Sequence, residues 1–222
     1  MKKVFLYILI SILSLNMYSQ NLRNINIDDY KLDSRITSKL VDKTKKNRKI
    51  NIYQQNNEIY FLGWSKDSKI AFIENRAIDG RGGHDFLFVI QDLANEKVCF
   101  SKKISGYDLD DNLDSKNITC TFKKCLSDNS KELNNKLNEY EIVLKPCEVI
   151  FSPLFDSNKK EIKFDINKTK KDEAQFVLQT GYIKSPYEER FALIVAKVLF
   201  VYEGHEVFVD FYGYSSDESF NK

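Results

Sequence analysis

Arg190-Phe191-Ala192-Leu193-Ile194-Val195-Ala196-Lys197, apolar onward to Tyr202, then Glu203-Gly204-His205 and Glu206-Val207-Phe208-Val209-Asp210-Phe211-Tyr212, is the stretch that decides the fold. β-Branched and aromatic residues crowd both arms, and Gly204 between them is free to take positive φ, so the spacing predicts a long antiparallel hairpin. On the first arm Phe191, Leu193 and Val195 share one face while Ala192, Ile194 and Ala196 share the other. A strand apolar on both faces belongs at the centre of a sheet or between layers. This hairpin is therefore expected to hold much of the core.

The same period of two runs outward from Lys49, bounded by Gly, Asn and Asp. It predicts strands at 50–53, 59–63, 69–75, 86–92, 98–104, 148–151, 161–166, 174–183, 190–202 and 206–214. Two stretches read as helices. Ile36 and Leu40 fit a short one after Ser34, and Leu133, Leu137 and Tyr140 fit a second capped by Ser127 or Asp128. No period of 20 to 50 residues recurs, which argues against a solenoid or a full propeller. The expected fold is mainly β, of the α+β class: antiparallel sheet, sandwich-like or a partly open barrel, with one or two short helices packed on it. Residues 21–48 form an N-terminal segment with the first helix, and 49–222 a single β-rich domain.

Lys2 and Lys3 precede an apolar run from Val4 to Leu15 and a polar stretch ending at Ser19-Gln20. That layout predicts a cleaved secretory signal over residues 1–20. The run is too short, with Ser11 and Ser14 inside it, for the roughly 20 apolar residues of a membrane span. The mature chain is expected in the periplasm or outside the cell, without an integral span. Loss of Lys2 and Lys3 removes the formal charge of +2, so no net field attracts nucleic acid or anionic membrane. The lysine clusters at 43–49 and 168–171 lack interleaved aromatics to stack on bases and read as solvated surface.

Cys99, Cys120, Cys125 and Cys147 permit two disulfides in an exported chain, in any of three pairings, or remain as buried thiols. Zinc is disfavoured, because Cys120 and Cys125 are too far apart in sequence for a Cys-x-x-Cys pair and no histidine lies near.

Gly63-Trp64-Ser65-Lys66-Asp67-Ser68-Lys69-Ile70-Ala71-Phe72 has an indole closing one strand, Ser65 and Asp67 placed to hydrogen-bond turn amides, and re-entry into the sheet at Ile70. This segment resembles one strand-turn-strand of the periplasmic TolB-like, WD40-like propeller repeat, with Lys66 at its usual Pro and Ser68 at its usual Gly. One copy implies a hairpin, since a propeller needs at least about four blades. Together with an Asp79-Gly80-Arg81-Gly82-Gly83 loop, Ser185-Pro186-Tyr187-Glu188-Glu189-Arg190 and Tyr202-Glu203-Gly204, the chain resembles bacterial predicted secreted proteins of unknown function. That resemblance implies the compartment and no activity.

Asp79-Gly80-Arg81-Gly82-Gly83-His84-Asp85 joins permissive backbone to polar side chains. Its glycines can turn amides toward an anion, with Arg81 adding charge. A strand follows instead of a helix, and no Gly-Lys-Ser or Gly-Lys-Thr is present, so a plain hairpin loop competes with a ligand loop. Asp108, Asp110, Asn112 and Asp114 alternate like calcium ligands. Leu113 and Thr119 stand where an EF-hand has its glycine and closing Glu, so an acidic turn is expected. His84 and His205 each lie beside a glycine; were the two turns to meet, His84, Asp85, His205 and Glu206 would form a metal or acid–base site. Adjacent Glu188 and Glu189 would face opposite ways in a strand, which rules out joint action on one glycosidic bond. Tyr182, Tyr187, Tyr202, Tyr212 and Tyr214 suit either a sugar platform or core packing. No nucleophile elbow, His-Glu-x-x-His or Cys-His-Asn signature occurs.

The residues thus point to a non-enzymatic binding or interaction protein of the cell envelope, needing no cofactor and taking an envelope protein or a small ligand. Its candidate ligand-binding residues are Asp79, Arg81, His84, Asp85, His205 and Glu206. The competing expectation is a small periplasmic hydrolase or metal-dependent enzyme that uses the 79–85 loop and the 203–206 turn.

Overall fold

The computed structural model describes residues 21–46, 58–77, 84–105, 107–108, 117–118, 121–156, 158–165, 176–187, 189–201 and 204–215. The signal segment expected at 1–20, the strand expected at 50–53, most of residues 79–85, most of the acidic turn expected at 108–114 and Cys120 lie outside the described residues.

Strands β1 (Glu58–Trp64), β2 (Lys69–Ala77), β3 (His84–Asp92) and β4 (Lys97–Ser105) form an antiparallel meander. The short β7 (Val143–Leu144) joins it outside β1, giving the order β4-β3-β2-β1-β7. A second sheet has β11 (Arg190–Val201) between β10 (Phe176–Lys184) and β12 (Gly204–Ser215). Two-residue pairs, β5 (Tyr107–Asp108) with β6 (Asn117–Ile118) and β8 (Leu154–Phe155) with β9 (Glu161–Ile162), complete the strands. Both large sheets are open, neither closing into a barrel, and they pack in the expected antiparallel, sandwich-like way.

Alternation along the strands decides which faces meet. Ile59, Phe61, Ile70, Phe72 and Val89 of the first sheet bury against Ile183, Ala192, Ile194, Val209 and Phe211 of the second. The Phe211 ring lies 5.7 Å from Phe61 and 4.8 Å from Phe72, within the range of favourable aromatic pairs. On the far face of the first sheet Leu62, Ile73 and Phe88 meet Leu126, Leu133 and Leu137 of helix α2 (Phe122–Glu139). Helix α1 (Arg35–Lys46) sets Leu40 and Val41 on Ala196, Val198 and Val207. Beyond the second sheet, Leu154 of β8 and Ile162 of β9 cover Tyr182, Phe191 and Leu193. β11 is therefore covered on both faces: Ala192, Ile194, Val195 and Ala196 are wholly inaccessible to solvent. No helix among the described residues is long and apolar enough to cross a membrane.

Several expectations are corrected. Helix α2 starts at Phe122 after Thr121, ahead of Ser127 and Asp128, because its apolar stripe reaches back through Leu126 and Cys125 to Phe122. The Phe122 ring stacks 4.8 Å from Tyr60 and 4.7 Å from Phe86, which holds that first turn on the sheet. Residues 148–151 form no strand; a single bridge joins Ile150 to Tyr182. Pro146 and Pro153 flank the segment and carry no N–H for a ladder. The strand expected at 161–166 pairs only over Glu161–Ile162. Cys99 and Cys147 are free thiols, which excludes the two-disulfide framework.

Candidate functional site

Residues 145–153 form a strap across the open side of the sandwich, from the edge of one sheet to the edge of the other. At its start the Lys145 amide donates to Leu62 O at 2.9 Å. Further on, the Ile150 amide donates to Tyr182 O at 2.8 Å, and the Tyr182 amide returns a bond to Ile150 O at 3.0 Å. Between these anchors the strap alternates. Cys147, Val149 and Phe151 turn toward the inter-sheet core, while Glu148 and Ile150 are exposed. Its close approach to β10 requires Gly181, where a Cβ would lie 2.9 Å from Ile150 O and 2.8 Å from Val149 Cγ1. At the β7 end Gly63 has the same role, since a Cβ there would come within 2.0 Å of Val143 O. Over the far end of the strap, Arg35 stands 4.2 Å and Lys39 4.5 Å from the centre of the Phe151 ring, as cation–π partners.

A cleft of about 670 Å³ opens between the strap and the turn joining β10 to β11. Trp64, Pro146, Pro186 and Tyr187 supply apolar and aromatic lining, while Lys145, Lys184 and Glu148 add charge. Trp64 is 3% exposed, and its Nε1 is buried without a hydrogen-bond partner. Such an orphaned donor is uncommon in a folded interior and carries a desolvation cost. Hydrogen bonds and an ion pair hold the walls. Ser185 N donates to Arg190 O at 2.8 Å, Tyr187 N donates to Ser185 Oγ at 3.2 Å, and Lys184 Nζ lies 3.0 Å from Glu189 Oε1. On the Trp64 side, Lys69 N donates to Ser65 Oγ at 2.9 Å, the turn-amide contact expected of the serine, whereas Asp67 accepts from the side chains of Ser65 and Lys69.

Burial pushes the Cys147 thiol, which also lines this cleft, up to about 12. It therefore stays neutral at physiological pH and lacks the thiolate that nucleophilic chemistry requires. A smaller cleft of about 370 Å³ lies on the other side of Cys147 and Glu148, against Lys31, Asp33 and Arg35. Concave, apolar and aromatic, with a few polar groups, the Trp64 cleft has the make-up of a small-ligand pocket.

The residues singled out by sequence fall elsewhere. Asp79 and Arg81 lie outside the described residues. His84 and Asp85 begin β3, paired with Ala77 and Arg76, and His205 and Glu206 lie within β12, paired with Phe200 and Leu199. All four occupy ladder positions, not turns, because pairing continues to Ala77↔His84 and to Val201↔Gly204. Asp85 forms an ion pair with Lys103. The side chains of His84 and His205 lie outside the described residues. Among the described residues, no group of three or more His, Cys, Asp and Glu side chains could hold a metal ion. What sequence reading missed is the meeting of two proline-bearing segments, Lys145-Pro146-Cys147 and Ser185-Pro186-Tyr187, beside Trp64. A proline is all that the two segments share in sequence, and it carries no information on proximity.

No protein family, curated protein or solved structure matches this chain.

Proposed function

We propose that this chain is an exported, non-enzymatic binding protein of the cell envelope, and that the cleft floored by Trp64 beneath the 145–150 strap is where its ligand sits. The observation that carries the proposal is the orphaned Trp64 Nε1 in the lining of an aromatic and proline-walled cleft of about 670 Å³. A ligand with a flat or apolar body and a hydrogen-bond acceptor matches that lining: the body lies against Pro146, Pro186 and Tyr187, and the acceptor satisfies the indole. The neutral Cys147 thiol favours binding over covalent chemistry at this place.

Trp64 is the sole tryptophan of the chain, so its emission reports on the cleft alone. The low-molecular-weight fraction of an envelope extract is expected to shift or quench that emission, and native mass spectrometry to find a retained small molecule. Tyr187→Asp, at a partly buried wall position packed against the inter-sheet core, should abolish both effects, with circular dichroism checking that the fold is kept. Identical responses from wild type and variant would contradict the assignment.

A further inference from the structure

A third cleft, of about 410 Å³, lies past the Phe151 end of the strap, between α1, β9 and β10. It differs from the Trp64 cleft in charge. Arg35, Lys39 and Lys43 recur at every fourth position of α1, which places them on one face of the helix, a turn apart. Like charges at this spacing weaken an isolated helix. Asp33 pairs with Arg35 at 2.6 Å, but among the described residues Lys39 and Lys43 have no carboxylate partner. Lys39, Lys43 and Lys163 line the cleft against one carboxylate, Glu161, itself 2.9 Å from Lys163 and exposed.

The interior of the cleft supplies the second observation. Thr180 is the residue passed over where the β10–β11 register shifts between Gln179 and Gly181. It lines the cleft, is 4% exposed, and its Oγ1 is buried with no hydrogen-bond partner. Neighbouring Gln179 is already used, its Oε1 accepting from Phe164 N at 2.8 Å. The remaining walls are apolar, with Phe151, Ile162, Phe164 and Leu178 among them. Lysines without a carboxylate partner among the described residues, an orphan hydroxyl and apolar walls, brought together in one lining, describe a receptor for one chemical type.

We propose that this cleft binds an acidic amphiphile: an apolar chain or ring lying against Phe151 and Leu178, with a carboxylate or phosphate held by Lys39 and Lys43 and accepting from the Thr180 hydroxyl. This site is separate from the Trp64 cleft and does not depend on that assignment. Carboxylate-headed and phosphate-headed ligands share the chemistry, and octanoate and octyl phosphate as probes tell them apart.

The test is calorimetric titration of the mature protein with octanoate, octyl phosphate, octanol and inorganic phosphate. At least one of the two acidic amphiphiles binds, and octanol and inorganic phosphate bind at least about tenfold more weakly than it does. Lys39 and Lys43 are exposed, so K39Q/K43Q keeps the fold by circular dichroism while weakening the acidic amphiphile by about tenfold. T180V, which removes the hydroxyl and keeps the shape, weakens it too. Trp64 emission stays unchanged throughout, which separates this site from the other. The proposal is overturned if neither acidic amphiphile binds, if octanol or inorganic phosphate binds equally well, if K39Q/K43Q binds like wild type, or if the ligand perturbs Trp64 and Tyr187→Asp abolishes its binding.

Discussion

Arg190 Nη1 donates a hydrogen bond to Ser68 Oγ across 122 residues of chain, tying the β1–β2 turn of one sheet to the first residue of β11 in the other. Ser68 is 2% exposed and holds a left-handed backbone, φ 73°. It stands where the propeller-type turn pattern has glycine. That backbone costs a non-glycine residue about 1 to 2 kcal/mol, while a hydrogen bond to a charged group contributes about 1.5 to 3 kcal/mol. Ser68→Ala loses the bond and keeps the strain. Ser68→Gly loses the bond but sheds the strain. Urea unfolding is expected to place S68A about 2 kcal/mol below wild type, with S68G less destabilised by about 1 kcal/mol.

Gly181→Ala tests whether the strap is held by backbone proximity. The added Cβ must displace Ile150 O, 2.9 Å away, and overpacking of this kind costs about 1 to 3 kcal/mol. The variant is expected to lose the Ile150–Tyr182 bridge, seen as faster amide exchange at both residues. Wild-type exchange there would mean that the strap has other anchors.

The hairpin of β11 and β12 was legible because its signal is local: alternation on two faces suffices to define it, and the register runs unbroken from Arg190↔Ser215 to Val201↔Gly204, so that Gly204, expected in the turn, instead opens β12. The same holds for β2 and β3, whose expected spans differ from the observed ones only at the ends. The strap was half legible. Its Cys147, Val149 and Phe151 alternate like a strand, but which face finds a partner depends on where two sheet edges come to lie, and no local pattern encodes that. The Trp64 cleft was not legible for the same reason: residues 146 and 186 are joined only through the tertiary fold. The histidine hypothesis read a glycine neighbour as a turn, although both His84 and His205 continue the hydrogen-bonded ladder.

Cys147 should be silent toward alkylating agents in the folded protein. With the thiol pushed up to about 12 by burial, only about one part in ten thousand is thiolate at pH 8. Because the folded value lies above the ordinary 9.0, the neutral thiol's contribution to stability is complete below pH 9 and declines as pH rises toward 12. Iodoacetamide at pH 8 is expected to leave Cys147 unmodified in native protein and to label it in urea, as peptide mass spectrometry would report. Equal labelling in both states would contradict its burial.

Glu58 is one contributor to the acid limb of stability. Burial pushes its carboxyl up, but hydrogen bonds from Lys31, Tyr60 and Asn75, with the Lys31 charge, outweigh that and hold it below the ordinary 4.5. A depressed carboxylate contributes stability above its unfolded value and loses it as pH falls through the folded one. The pair with Lys31 is partly exposed, so its contribution is at most about 1 kcal/mol. E58Q is therefore expected to be slightly less stable than wild type at pH 7, by a margin in thermal melts that narrows as the pH falls below the ordinary 4.5. A constant difference across that range would contradict the pairing.

The binding assignment rests on the cleft beneath the strap, and the emission of Trp64 tests it most directly. Titration with the small-molecule fraction of envelope extract should move that emission saturably in wild type and leave Tyr187→Asp unchanged. No change in wild type, or the same change in both proteins, would contradict the account.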